Sequence, residues 1–132
     1  MIKLLSIFGL FLFIVGCSTT AVSPQNQLAV IETWSGYANG RGAQCPDADV
    51  KVQILEDFSI IGKAYTTERN LIIHLRGKID PNRNFLASGS GFGGATVTYK
   101  GSINGNSGSG TWDSSLSVHR CEGTWELSKI SL

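Results

Sequence analysis

The sequence predicts an all-β fold: about eight antiparallel strands in an up-and-down meander that closes into a small barrel. Three observations support this. Apolar and polar residues alternate along most of the chain after residue 33, turn residues recur at regular spacing, and glycine (16) far outnumbers proline (3). Alternation with a period of two residues is typical of a strand with one buried face. Beyond the apolar N-terminus, no segment has the pattern of an amphipathic helix.

The clearest strand is residues 70–79. Leu71, Ile73 and Leu75 share one face of it, and Ile72 and His74 share the other. The remaining strands are assigned in the same way. Strong alternation marks residues 50–54, 70–79, 95–103 and 121–127, and weaker alternation marks residues 33–38, 59–65, 85–91 and 108–113.

Short turn signals separate these strands, at residues 56–57, 67–69, 80–84, 93–94 and 104–106. Short connections favour antiparallel neighbours, because a parallel pair needs a crossover of about a dozen residues. A series of such hairpins has two exposed edges, and closure into a barrel removes both of them.

Glycines inside the strands indicate what fills the barrel. Glycine weakens a strand, so this many interior glycines suggest coiling, bulges or room for large neighbours. Trp34, Trp112 and Trp125 lie on the same faces as these glycines. We expect an interior mostly filled by these rings, Phe85, Tyr99 and aliphatic side chains, without charged residues. The glycines concerned are Gly36, Gly62, Gly77, Gly89, Gly101, Gly110 and Gly123.

Composition and motifs argue against several functions. The net charge of +1 argues against a nucleic-acid binder, which needs a basic surface. The chain has no G-x-S-x-G elbow, H-E-x-x-H helix or phosphate-binding loop. His74 is predicted on an outward face and His119 in a turn, so both are interpreted as solvated. The sequence therefore predicts no catalytic residues, no cofactor and no metal.

Three cysteines are present, at positions 17, 45 and 121. In an exported protein, Cys45 and Cys121 form an even pair and are predicted to be disulfide-bonded. A metal site is the alternative, with His119 as a lone additional ligand. A nucleophilic cysteine is a further alternative, although no histidine is close to Cys45 in the sequence.

The N-terminus has the pattern of an export signal. Twelve of residues 1–16 are apolar, and this run is shorter than the about 20 residues that cross a bilayer. Ile14-Val15-Gly16-Cys17 resembles the lipobox of bacterial lipoproteins. That resemblance implies that Cys17 carries a diacylglycerol thioether and becomes the first residue of the mature protein.

The resemblance also implies a cellular location and a domain organisation. Residues 1–16 are the lipoprotein signal peptide, residues 17–32 the lipidated N-terminus and flexible tether, and residues 33–132 the barrel. Ser18 stands where lipoproteins retained in the inner membrane commonly have aspartate. The expected location is therefore the outer membrane, lipid-anchored and facing the periplasm.

Two further resemblances concern the barrel. Its early Trp34-Ser35-Gly36 strand and its meander resemble calycin-type barrels such as lipocalins. Ser88-Gly89-Ser90-Gly91 and Thr98-Tyr99-Lys100-Gly101 are similar to the paired motifs of membrane-bound inhibitors of c-type lysozyme, although the residues after the serine motif and the spacing differ. The second resemblance implies partner contacts by Ser88, Ser90, Tyr99 and Lys100.

The predicted function is a non-enzymatic outer-membrane lipoprotein that presents a small disulfide-linked barrel as a binding or structural module. Its predicted partners are the membrane, through the lipid anchor, and a protein of the cell envelope, with no nucleic acid. One alternative is a periplasmic inhibitor of a lysozyme-like cell-wall hydrolase. A second alternative is a lipocalin-like carrier of a small apolar ligand.

Overall fold

The structure is a computed structural model that describes residues 28–42, 45–66, 68, 70–91, 94–115 and 120–131. It confirms the predicted fold class, with eight antiparallel strands in a closed barrel whose neighbours follow chain order. Among the described residues, no helix is long and apolar enough to cross a membrane. The strands are β1 (Val30–Gly40), β2 (Ala48–Leu55), β3 (Ser59–Thr66), β4 (Leu71–Ile79), β5 (Asn84–Ser90), β6 (Thr96–Asn104), β7 (Ser107–Ser114) and β8 (Glu122–Lys129).

Closure comes from pairing between the first and last strands. β1 pairs with β2 on one side and with β8 on the other, and Trp34 is the Cα partner of both Val52 and Lys129. All eight pairings lie within residues 30–129, and so do the residues of the buried core. Residues 28–131 therefore contain all eight strand pairings and the buried core that the structure describes.

β1 begins earlier than predicted. Val30 already pairs with Leu55, and the register shifts between Val30 and Glu32. The predicted tether of residues 17–32 therefore overlaps the first residues of this strand. The alternation did not reveal them because Val30 and Ile31 are both exposed. Residues 1–27, with Cys17 and the predicted signal, lie outside the described residues.

The interior is packed by rows of paired residues that run around the barrel. In one row, Phe85 pairs with Gly101, Gly101 with Gly110, and Gly110 with Trp125. The Phe85 and Trp125 ring centroids are 4.9 Å apart. The Trp125 indole N–H donates to the carbonyl oxygens of Lys100, at 3.0 Å, and Thr111, at 3.1 Å. The large ring is thus accommodated beside two residues that have no side chain.

The side chains that point into the barrel belong to the face that the sequence predicts to be buried. All three tryptophans are buried, and the only buried polar residues in the described part of the chain are Thr66 and Ser114. No charged side chain is buried among the described residues, as the sequence predicts. The largest side chains with under 2% exposure are Trp34, Trp125, Ile54, Ile60, Leu75, Ile103 and Val52.

The two ends of the barrel differ. At the turn end, where β1 begins, the connections are residues 56–58, 80–83 and 105–106. Asp57 and Asp80 stabilise two of these turns by accepting hydrogen bonds from the backbone N–H groups of Ser59 and Asn84, both at 2.9 Å. At the opposite loop end, the connections are residues 41–47, 67–70, 91–95 and 115–121.

The predicted disulfide is confirmed at the loop end. Cys45, in the β1–β2 connection, is bonded to Cys121, just before β8, with their Cα atoms 5.4 Å apart. Both thiols are consumed in this bond, so neither the metal site nor the nucleophile considered for these cysteines applies. A cross-link between residues 76 apart in sequence stabilises the fold by up to about 4 kcal/mol in the chain-entropy model.

We predict that Gly101→Ala destabilises the barrel by about 1 to 3 kcal/mol, as overpacked cores are destabilised. A Cβ atom at this position would clash with the carbonyl oxygen of Ser109 and would lie 2.6 Å from Trp125 Cζ2. Urea unfolding followed by tryptophan fluorescence measures the change. Ser109→Ala, on the exposed face of the neighbouring strand, is the control and is expected to alter stability by under about 0.5 kcal/mol. Equal stability of the Gly101→Ala protein and the wild type would contradict the packing described.

Candidate functional site

The predicted partner-contact residues lie on two different faces of the barrel. Ser88, Ser90 and Lys100 are exposed on the outer wall, the surface formed by side chains that point away from the interior. Ser88 pairs with Thr98 and Leu86 with Lys100, so Ser88 and Lys100 are diagonal neighbours across β5 and β6. Ser90 is two residues further towards the loop end.

Tyr99 does not join this group. Its side chain is only 3% exposed and lies inside the barrel, where its ring stacks at 6.2 Å on that of Trp112. Burial raises the pKa of the Tyr99 phenol to about 12. An inward ring cannot reach a partner at the wall, so the contact role that the resemblance implies for Tyr99 does not fit its position. Alternation explains this, because neighbours in a strand face opposite sides.

Lys100 lines a cleft of about 260 Å³ on the outer wall of β6, β7 and β8. Both signs of charge border this mixed-charge cleft, with Arg41 and Lys100 as cations and Asp113 and Glu122 as anions. Its floor includes Trp112, whose indole N–H donates to the carbonyl oxygen of Asn39 at 3.1 Å. The remaining lining residues are Thr98, Thr111 and Gly123.

A second groove, of about 440 Å³, crosses the outer wall of β2, β3 and β4. Lys51 and Lys63 are direct Cα partners, and Lys63 is the direct partner of His74. Arg76 follows His74 on the same face of β4. Like charges in direct register destabilise a sheet, and none of these side chains has an ion-pair partner among the described residues. His74 is exposed, as predicted, whereas His119 lies outside the described residues.

A polar cluster occupies the turn end. Arg83 Nη2 lies 3.0 and 3.2 Å from the two carboxylate oxygens of Glu32, and Lys129 Nζ lies 3.7 Å from Oε1. The Trp34 indole N–H donates to Glu32 Oε2 at 3.0 Å. Arg83 also donates from Nε to the carbonyl oxygen of Ile103 at 3.2 Å, and its backbone is left-handed, with a φ of 66°.

This cluster sets the ionisation of Glu32. Burial opposes the charged carboxylate, but hydrogen bonds from Arg83 and Trp34 and the charges of Arg83 and Lys129 outweigh burial, so the pKa of Glu32 is lowered. Sequence reasoning did not identify the cluster, because Glu32 and Arg83 are 51 positions apart and belong to no motif. The arrangement fixes the strand ends rather than leaving a reactive group free, since each cation and the indole already contact the carboxylate.

Other chemistry has little support in the described residues. Within those ranges, no group of three or more His, Cys, Asp or Glu side chains is placed to hold a metal ion. The carboxylate of Asp47 already has a structural contact, because its Oδ1 accepts a hydrogen bond from the backbone N–H of Gly40 at 2.9 Å. Comparison with known proteins finds no matching family, no matching curated protein and no matching solved structure.

We predict that Glu32→Gln lowers stability at neutral pH by about 1 to 3 kcal/mol, because Arg83 and Trp34 lose a charged acceptor. The folded-state pKa of Glu32 is lowered, so its contribution is present above the unfolded-state pKa and is lost as the pH falls through the folded-state value. The wild type and variant should therefore converge in stability as the pH falls through the lowered folded-state pKa of Glu32. Urea unfolding at a series of pH values measures the stability of both proteins.

Glu126→Gln, on the exposed face of β8, is the matched control and should leave the stability profile close to that of the wild type. A Glu32→Gln protein that stays equally far below the wild type at every pH would contradict a role for the ionised carboxylate.

Proposed function

We propose that the chain is an exported, non-enzymatic lipoprotein of the outer membrane whose barrel is a binding module, with the binding surface on its outer wall and loop end. The observation that carries this proposal is the filled interior. Trp34 and Trp125 have 0% and 1% exposure, and aliphatic side chains surround them. A barrel occupied by its own rings offers a partner only its outside.

The direction of the chain supports this arrangement. β1 begins at the turn end, so a tether that runs from a lipid on Cys17 reaches the barrel there. The loop end, with the disulfide, lies on the opposite side and points away from the attachment.

A carrier function has the least support. A lipocalin-like carrier needs an interior void of the size of its ligand, typically several hundred Å³. In the described residues, the central inward positions hold tryptophan, isoleucine, leucine and valine side chains in mutual contact. We therefore do not propose transport of an apolar ligand inside this barrel.

The second candidate function is inhibition of a lysozyme-like cell-wall hydrolase, and the position of Lys100 favours it. Lys100 is exposed beside Ser88 on the outer wall and forms no ion pair with the described residues. An unpaired cation on a rigid strand complements an acidic catalytic cleft. Asp113 and Glu122, in the same mixed-charge cleft, argue against this candidate function, because they would repel carboxylates of the hydrolase.

The lipid anchor is tested on the full chain expressed in a Gram-negative host. We expect Cys17 to incorporate radiolabelled palmitate and the precursor to accumulate when the lipoprotein signal peptidase is inhibited with globomycin. Cys17→Ser is the control and should carry no label. Signal-peptide cleavage that globomycin does not affect, or palmitate label that persists in Cys17→Ser, would contradict lipidation of Cys17.

The inhibitor function is tested by titrating hydrolase activity with the protein. If Lys100 enters the cleft of a c-type lysozyme, Lys100→Ala should weaken inhibition at least about ten-fold, since one desolvated charged contact contributes about 2 kcal/mol or more. Lys63→Ala removes the same charge from a different strand and serves as the matched control. Absence of inhibition by the wild type, or equal losses in both variants, would eliminate this candidate.

A further inference from the structure

One part of the outer wall is cationic and apolar at the same time. β3, β4 and β5 contain no aspartate or glutamate, and their outward positions include Lys63, Arg76 and Lys78. His74 lies between these cations on β4. We call the outward surface of these three strands the basic wall.

Exposed aliphatic side chains are interleaved with the cations of this wall. Leu86 is 52% exposed, Ile72 is 49% exposed and Ile61 is 37% exposed. Ile61 is the direct Cα partner of Arg76, and Leu86 is the direct partner of Lys78. Ile61 and Leu86 therefore each stand beside a cation, whereas Ile72 pairs with Tyr65, and the same three strands carry no carboxylate.

The opposite side of the barrel has the reverse character. β7 and β8 place Asp113, Glu122 and Glu126 on the outside, among serines and threonines. A net charge of +1 thus conceals a barrel with one basic and one acidic side. The strands on each side are consecutive in the chain and adjacent in the sheet, so each type of charge is concentrated on one side of the barrel.

We propose that the basic wall lies against a membrane surface rich in anionic phospholipid. Phosphate headgroups complement Lys63 and Arg76, and the acyl boundary beneath them accepts Ile72 and Leu86. A soluble polyanion would satisfy the cations but would leave the aliphatic groups in water. A second copy would offer its acidic side, whose exposed residues on β7 and β8 are serines, threonines, three carboxylates and Lys129, none of which can cover those aliphatic groups.

This contact goes beyond the proposed binding module and would determine how the barrel is oriented. With the basic wall against lipid, the acidic side formed by β7 and β8 faces the aqueous compartment. Lys78 contributes less than the other cations, since the charge of Lys78 already acts on the nearby Asp57 carboxylate. The test therefore uses Lys63 and Arg76.

The experiment measures binding of the barrel, residues 28–132, to vesicles by co-sedimentation. This segment holds all eight strand pairings of the barrel and lacks Cys17, so its result is independent of the lipid-anchor test. We expect binding to phosphatidylcholine vesicles that contain phosphatidylglycerol, weak binding to phosphatidylcholine alone, and loss of affinity as salt is raised.

Lys63→Gln/Arg76→Gln should lower the partition coefficient about 25-fold, since each cation near an anionic surface contributes a factor of about five. Thr124→Glu/Ser128→Glu changes the net charge by the same two units on β8 and should retain most of the affinity. Ile72→Ser/Leu86→Ser should lower the affinity about ten-fold with an unchanged salt dependence. Circular dichroism and thermal melting check that each variant is folded.

Three results would overturn the proposal. The first is vesicle binding that does not depend on phosphatidylglycerol, or that the Lys63/Arg76 and Thr124/Ser128 variants lose equally. The second is equally tight binding to a soluble polyanion such as polyglutamate, with no effect of the Ile72/Leu86 variant. The third is concentration-dependent self-association, in analytical ultracentrifugation, that Lys63→Gln/Arg76→Gln abolishes.

Discussion

The constraint on which this barrel depends is the steric fit between large aromatic rings and glycine residues, which have no side chain. Trp125 occupies the space above Gly101 and Gly110, and at both glycines an added Cβ would clash with a backbone carbonyl of the adjacent strand. Trp112 is placed similarly, because a Cβ added at Gly123 would lie 2.6 Å from its indole nitrogen and would clash with the carbonyl oxygen of Asn39. Close approach of strands at glycine recurs around the barrel, because an added Cβ at Gly36, Gly77 or Gly89 would also clash with a backbone carbonyl oxygen of the adjacent strand.

A filled interior moves any function to the outer surface, and the charges are arranged there accordingly. The ionic cluster of Glu32, Arg83 and Lys129 joins β1, the β4–β5 turn and β8 at the turn end. The disulfide joins the β1–β2 connection to β8 at the loop end. With both ends held, the outer wall is a rigid surface, so that residues on neighbouring strands keep fixed spacings. Rigid spacing reduces the entropy lost when a surface binds a partner.

Strand number, order and pairing could be predicted because they are encoded locally. Alternation along β4 and short turns between strands require no knowledge of distant contacts. The disulfide followed from the even number of cysteines after Cys17. The start of β1 was missed because Val30 and Ile31 pair with a neighbour while both remain exposed.

The candidate surfaces were less predictable, because they depend on cross-strand register. The alternation of β4 placed His74 and Arg76 on one face, but only the pairing shows that Lys63 stands directly beside His74. The Glu32–Arg83 contact spans 51 positions, and its Arg83 has a left-handed backbone conformation that no local pattern announced. For Tyr99 the local pattern was the better guide. The motif resemblance placed Tyr99 at a binding surface, whereas its alternation with the exposed Lys100 directs its side chain inward.

The proposed binding module depends on a barrel interior that has no room for a ligand. Titration of the domain with 1-aminoanthracene, a small apolar fluorophore, tests this by energy transfer from the buried tryptophans. We expect no saturable transfer at any probe concentration at which the protein stays folded. Stoichiometric, saturable transfer that a fatty acid competes away would show an internal binding site and would contradict it.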